Sequence, residues 1–355
     1  MGKERRPILV GHRKCFSSMD VQVYEDIAAV PEARWNEVVE HGQVFRSHAY
    51  LRAVQNSHIN DCAYYYPVIR DGDEILAHAC VYSISTELDV FARGFLKGLV
   101  RRMRQPFPGF MMLRTLECGS PVAPGSSISV REGVSRAKVL RELLKAIHVV
   151  AAQQNIQTTL IRDFHEEDMD SSEDVFMAEG YQLVQNLPFC SMSVKWTSMQ
   201  DYVASLRSSY RRKMKKREQK FSDKGGVLTV LRDFGASLEE ITGLYENVFT
   251  SAREYKRERL TYEFFQEINK ALGERSFVIT ATVGETIVGF CLLVEGSSTL
   301  YWLYCGLDYV LSIETGAYFA MLYEIIRCGI KHQVTRPHAK RSVCRRNRRD
   351  SAVRF

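Results

Sequence analysis

Apolar positions recur along this chain with two periods, and the switches between them divide it into elements. Val21-Gln22-Val23-Tyr24 alternates as a short strand, and Pro31 opens a helical stretch through Trp35, Val38 and Val39 to Gly42. Ser47 caps a second helix over 48–57. Residues 63–70 and 74–83 then read as two strands joined by Asp71-Gly72-Asp73, a hairpin turn. Residues 90–104 pattern as an amphipathic helix and 110–118 as a strand. The stretch 132–154 predicts a long helix with Val139, Leu143, Leu144, Ile147 and Val150 on one side. A strand over 157–163, a helix over 172–179 ending at Gly180, and strands over 181–185 and 189–194 close this half.

A second round follows. Helix 199–221 leads through Gly225-Gly226 to strand 227–232, helices 237–252 and 261–272, strand 277–283, the turn Gly284-Glu285, strands 286–294 and 299–305, and helix 315–330. The order β-α-α-β-β-β-α therefore occurs twice. A chain of 355 residues exceeds one ordinary core, so the repeat predicts two similar domains, 20–195 and 196–332, hinged near 194–198. A basic extension, 1–19, precedes them and a basic tail, 333–355, follows.

Composition narrows the class. Hydrophobic residues at 45% and charged residues at 25% describe a folded, water-soluble chain, and no run of about 18 apolar residues offers a bilayer-spanning helix. Residues 1–20 hold only the short apolar run Pro7-Ile8-Leu9-Val10, too little for a secretory signal. Nine cysteines without a CxxC pair suit reduced thiols rather than disulfides or a metal cluster, so a cytoplasmic protein without metal is expected. Of the net charge of +6, the last 25 residues hold nine basic groups against Asp350, which leaves residues 1–330 at −2. The basic pI thus reflects local segments, not a cationic surface spread over the fold.

The double element order, with a basic helix at the junction, resembles the GNAT superfamily and, more narrowly, the tandem-GNAT proteins related to Fem-type peptidyltransferases. The resemblance rests on Phe45-Arg46-Ser47-His48-Ala49-Tyr50-Leu51, on the junction run from Leu206 to Lys216, on Val283-Gly284-Glu285-Thr286-Ile287-Val288-Gly289-Phe290, and on Tyr304-Cys305-Gly306-Leu307-Asp308 followed by Gly316-Ala317. It implies an α+β fold of two tandem GNAT-like domains with mixed sheets. The activity it implies is transfer of an acyl or aminoacyl group from acyl-CoA or aminoacyl-tRNA to an amine. Against that pattern the second domain is truncated: after helix 315–330 the stretch 335–346 lacks either apolar period, so the tail reads as disordered and the native ending as lost, for example by frameshift.

The implied chemistry needs a proton acceptor for the amine, amides facing the acyl carbonyl, and a cradle for phosphate. Glu117 is the base candidate in the first domain, with Gly119, Ser120 and Gly125 in the loop Cys118–Ser127 as candidate phosphate or carboxylate contacts. Asp308 and Tyr304 are the proton-transfer candidates in the second domain, where Gly316 opens a helix. Ile313 occupies the first position of the CoA-binding turn pattern and breaks it. Asp163 and His165 form a further acid–base candidate. Over 207–220 of the junction helix, Arg211, Arg212, Lys215 and Lys216 lead eight basic residues facing one acid, Glu218, a polyanion-binding face for a phosphate-bearing donor. No aromatic ladder accompanies it, so sequence-specific nucleic-acid reading is not expected. Residues 91–104 place Phe91, Phe95, Leu96, Leu99 and Met103 near one side and Arg93, Lys97, Arg101 and Arg102 elsewhere, a helix expected to pack against the sheet, with contact to a membrane interface or a lipid-linked substrate as the alternative. The rival reading is a catalytically inactive tandem-GNAT scaffold that binds an anionic partner.

Overall fold

The structure, a computed structural model, describes residues 8–9, 19–87, 102–103, 105–107, 110–164, 172–185, 191–252, 257–335 and 350–354. Contacts divide the chain into two units, one of residues 1–189, 254–259 and 347–355, the other of residues 190–253 and 260–346.

In the first unit the alternating stretches become strands β1 (Ile8–Leu9), β2 (Met19–Tyr24), β3 (Ala63–Asp71), β4 (Glu74–His78), β5 (Val81–Glu87), β6 (Met112–Cys118), β7 (Ser129–Val130), β8 (Thr158–Phe164) and β9 (Gln182–Gln185). The main sheet runs β1-β2-β3-β5-β6-β8 and on to β9 through a strand from the far end of the sequence, while β4 pairs with β3 and β7. The stretch 74–83, which the pattern reads as one strand, is two. Pro67 has no N–H to donate at the middle of β3, and there the chain breaks: Ala79 N donates to Pro67 O at 3.1 Å, β4 pairs with Val68–Asp71 and β5 with Ala63–Tyr65.

The β6–β8 pair is parallel, with Thr115 opposite Thr158 and Cys118 opposite Ile161. Such a pair needs a crossover. Helices α1 (Glu32–Asn36) and α2 (His48–Asn56) precede β3, and α3 (Arg136–Gln153) supplies the crossover. The apolar stripe of α3, Val139, Leu143, Leu144, Ile147 and Val150, packs with Tyr65, Val81, Leu116, Cys118 and Ile161 of the sheet. Because strand side chains alternate, their neighbours Tyr64, Tyr82, Glu117 and Arg162 belong to the opposite face.

Helix α4 (Glu173–Ala178) leads to β9. The strand predicted over 189–194 is absent at Ser191–Val194, and Phe189 and Cys190 lie outside the described residues. Between β8 and β9 runs Asp350–Arg354, antiparallel to both, with Val353 opposite Leu160 and Ser351 opposite Val184. The tail read as disordered therefore ends in a strand. Its own sequence is a poor strand signal; two unsatisfied strand edges supply the hydrogen-bond partners that order it.

The second unit holds α5 (Met199–Ser205), α6 (Ser208–Asp223), β10 (Gly226–Leu231), α7 (Leu238–Ser251), α8 (Tyr262–Leu272), β11 (Ser276–Val283), β12 (Thr286–Glu295), β13 (Leu300–Leu307), α9 (Tyr309–Thr315) and α10 (Ala317–Thr335), and Asp350–Arg354 completes the count as β14. Its sheet is antiparallel in the order β10-β11-β12-β13. The junction helix read over 199–221 is broken at Leu206-Arg207, both extended. The helix read over 315–330 is α10; the shorter α9 precedes it, and the two meet at Gly316, left-handed at φ 83°. Strand β13 lies against α7 so closely that a Cβ on Gly306 would come within 2.5 Å of the Leu244 carbonyl carbon and the Tyr245 nitrogen.

Candidate active site

Glu117 is the centre of the polar face of the first unit. It sits on β6 between Leu116 and Cys118, whose side chains are in the core below, so its carboxylate is carried to the other side at 1% exposure. A buried carboxylate must be hydrogen-bonded and paired. Here Tyr82, directly opposite on β5, donates its hydroxyl to Oε2 at 2.6 Å, and Thr115 donates to Oε1 at 2.8 Å. Arg162 Nη1 and Arg257 Nη1 each donate to Oε2 at 3.2 Å, and Arg257 Nη2 donates to Oε1. Burial pushes the Glu117 carboxyl up, but Arg257 and Arg162 outweigh it and hold it below the ordinary carboxylate value. Burial likewise pushes the Tyr82 phenol far up, so Tyr82 stays a donor.

Arg257 and Glu258 arrive from about 140 residues downstream, on a short segment that the Asn60 side chain clasps. Asn60 Nδ2 donates to the Arg257 carbonyl at 2.6 Å, and its Oδ1 accepts from the Arg259 amide at 2.9 Å. The turn that presents Asn60 has left-handed backbone at His58, Asn60 and Asp61, with φ of 50°, 51° and 50°. Non-glycine residues pay for that conformation, which persists where surrounding contacts demand it. Arg257 also donates to Thr86 Oγ1 at 3.1 Å. Glu258 lies 3.6 Å from Arg257 and 4.0 Å from Arg162. Burial raises its carboxyl, Arg257 and Arg162 pull it back, and the balance leaves it above the ordinary value. Cys62, beside the same groups, is pushed up to about 12 by burial against the pull of Arg257.

The two carboxylates thus differ in kind. Glu117 is a saturated, ionised anchor; Glu258, 20% exposed at its side chain, is the one whose proton affinity is raised. Arg257 and Glu258 carry no local motif. Only their distance from Glu117 in three dimensions marks them.

The loop after β6 is stitched into the unit. Gly119 N donates to Cys80 O at 3.0 Å, so that amide is already engaged. Ser120 is buried, and its hydroxyl has no hydrogen-bond partner among the described residues. Arg46 Nε donates to Ser126 O at 2.7 Å, and Tyr50 donates to Val122 O at 3.2 Å. Gly125 takes φ 95°, a turn position that favours glycine. Asp163, at φ 61°, is buried beside Arg162, while His165 lies outside the described residues.

In the second unit the candidates do not converge on one another. Asp308 is the N-cap of α9, its Oδ1 accepting from Leu311 N at 2.9 Å. Tyr304 stands edge-on to Tyr245 and Phe264, with ring centroids 6.2 and 6.0 Å away. Gly316 ends α9, donating to Ser312 O at 2.9 Å. On α6, Arg211 Nη1 donates to the carbonyls of Ala204 and Leu206 at 2.9 Å each and so closes the end of α5. Arg212, Lys215 and Lys216 are exposed. A cavity of about 200 Å³ lies between α5, α6 and α10, lined by Tyr202, Tyr210, Lys213, Arg217 and Tyr323. The stretch 91–104 lies outside the described residues apart from Arg102 and Met103, and no helix among the described residues is long and apolar enough to cross a membrane. Among them, too, no three His, Cys, Asp or Glu side chains are grouped as metal ligands.

Parallel β6–β8 pairing over a crossover helix, followed by a second sheet-and-helix unit, defines an α+β protein of two GNAT-like domains in tandem. This chain belongs to the FemAB-like family, described as peptidoglycan biosynthesis/recognition, whose model matches residues 26–339. A protein of Mycobacterium tuberculosis (strain H37Rv) named 8-amino-7-oxononanoate synthase 2 is 27% identical over 257 residues, 72% of this chain and 33% of that protein. The chain therefore spans about a third of the length of the curated relatives it matches. The crystal structure of FemX matches with a TM-score of 0.52 at 10% identity, covering 85% of this chain and 84% of that one. The C-terminal DUF2156 domain of a lysylphosphatidylglycerol synthetase from Agrobacterium fabrum matches at 0.50 and 7% identity, covering 91% of each. At such identities the likeness is one of fold.

Proposed function

We propose that this protein transfers an acyl or aminoacyl group to an amine, with the polar face of the first unit as the reaction surface and Glu258 as the proton acceptor. The observation that carries the reading is the division of labour between two carboxylates bridged by the same two arginines. Arg162 and Arg257 hold Glu117 ionised, whereas Glu258 keeps a raised proton affinity and some exposure. The amine nitrogen attacks the donor's carbonyl carbon, forming the C–N bond as the bond to the leaving thiolate or ribose hydroxyl oxygen breaks. The proton lost from nitrogen passes to Glu258 and from there to the leaving group.

Glu117, the expected base, serves instead as the anion that orients Arg162 and Arg257. The donor is acyl-CoA or aminoacyl-tRNA. Asp308, Tyr304 and Gly316 have no part in this step. The amine of 8-amino-7-oxononanoate, in the name of the mycobacterial relative, makes that compound one acceptor to try beside amino-sugar peptides.

The test is donor-dependent product formation, followed by mass spectrometry with acetyl-CoA and with aminoacyl-tRNA against those amines. A product whose rate collapses in Glu258→Gln supports the proposal. A product whose rate ignores Glu258 moves the proton acceptor elsewhere, and no product with any donor leaves the binding scaffold as the better account.

A further inference from the structure

Helix α9 presents its apolar side chains outward. Val310 is 76% exposed and Ile313 73%, with Tyr309 at 40% beside them. Spacings of three and four residues put all three on one face of the helix. Leu311, the apolar residue between them, is turned into the second unit's core, so this helix has an inner anchor and an outer apolar face.

That outer face is bordered by the cationic helix. Lys220 Nζ donates to Ile313 O at 3.0 Å, and Lys224 pairs with Glu314 at 3.2 Å. Lys216, Lys220 and Lys224 are spaced four apart and therefore form one row along α6, beside α9. Further along, Arg212, Lys215 and Lys216 are exposed and engage no acid among the described residues. A water-facing surface gains nothing from two large aliphatic side chains, and a protein groove of ordinary composition gains little from a row of lysines.

We propose that α9 and the adjoining row of α6 form a docking surface for an anionic lipid bilayer. Val310, Ile313 and the Tyr309 ring would enter the headgroup–acyl boundary, the phenol at the level of the carbonyls. Lys216 and its neighbours would meet the lipid phosphates, which attract cationic segments within a Debye length of the surface. Charge complementarity selects the bilayer: aliphatic residues rimmed by lysines match an apolar layer under a negative one.

The experiment is co-sedimentation of the full chain with vesicles of equimolar phosphatidylcholine and phosphatidylglycerol, against vesicles of phosphatidylcholine alone, at low and high salt. The expected result is binding to the anionic vesicles that weakens with salt, and little binding to the neutral ones. The double substitution Val310→Ser with Ile313→Ser should lower the partition coefficient by about tenfold, since two buried aliphatic side chains are lost. Lys216→Glu should lower it by several-fold and reduce its salt dependence. All three positions are exposed, and an unchanged thermal melt confirms that the variants fold. Wild-type binding that is absent, or equal on neutral vesicles, overturns the proposal. So does an unchanged partition in both variants. A dimer that disappears on Val310→Ser with Ile313→Ser, without vesicle binding, assigns the face to self-association instead.

Discussion

Glu117 and Glu258 share two arginines yet respond oppositely to burial, and the contrast makes separable predictions for single residues. Glu117 titrates below the ordinary carboxylate value of 4.5, so its stabilisation is present above that value and is lost as pH falls through its depressed folded one. Glu258 titrates above 4.5, so its contribution runs the other way: present below that value and lost as pH rises through the raised one. Urea midpoints measured from acid to neutral pH should therefore lose part of their acid limb in Glu117→Gln. That variant should also lose about 3–5 kcal/mol, because Arg162 and Arg257 keep their charge without its partner. Glu258→Gln should fold normally and lower the transfer rate by about 10²–10⁴-fold. The wild-type rate rises with pH through the Glu258 titration, and the variant's profile is flat there. Asn60→Ala removes both clasps on the Arg257–Arg259 segment. The Arg259 amide should then exchange about tenfold faster, while Asn60→Asp, which keeps the acceptor, retains most of its protection.

At the scale of elements, two features have no local cause. Strand β14 orders because β8 and β9 each offer it an edge, and deleting residues 350–355 should return those edges to solvent. Hydrogen exchange in Thr158–Phe164 and Gln182–Gln185 should rise, while β11 and β12 stay protected; unchanged exchange in β8 and β9 would show that the pairing contributes nothing. In the second unit, Gly306→Ala forces β13 off α7, since the added methyl meets main-chain atoms and not a flexible side-chain end. A loss of about 1–3 kcal/mol is expected, read from the urea midpoint. The break between α5 and α6 is held by Arg211 on the carbonyls of Ala204 and Leu206, so that residue is a helix cap within a run that otherwise reads as uniformly cationic.

For the whole molecule, each unit has its own core, one built around α3 and the β6–β8 pair, the other around β11, β12 and α10. Calorimetry should resolve two transitions that the variants mark separately. Loss of β14 and Glu117→Gln should lower one and leave the other, and Gly306→Ala should do the reverse. A single transition that shifts in every variant would mean that the two cores unfold together.

Most of the elements were legible in the sequence, because they rest on interactions a few residues long. The alternation in β2 and β3, the Asp71-Gly72-Asp73 turn, the apolar stripe of α3 and the doubled order of strands and helices all follow from periodicity, and they sufficed for the tandem fold. Glu117 could be singled out from its place on the strand before a Gly-rich loop. Its partners could not. Arg257 and Glu258 lie 140 residues on in a stretch without apolar period, and Asn60 meets them only once the sheet has formed. Nor does composition distinguish an arginine that caps a helix from one that faces solvent, or Asp350–Arg354 from the rest of a basic tail. In these cases the interaction joins groups far apart along the chain, with no repeat to announce it. The folded backbone decides which distant partner satisfies a buried charge or an open strand edge.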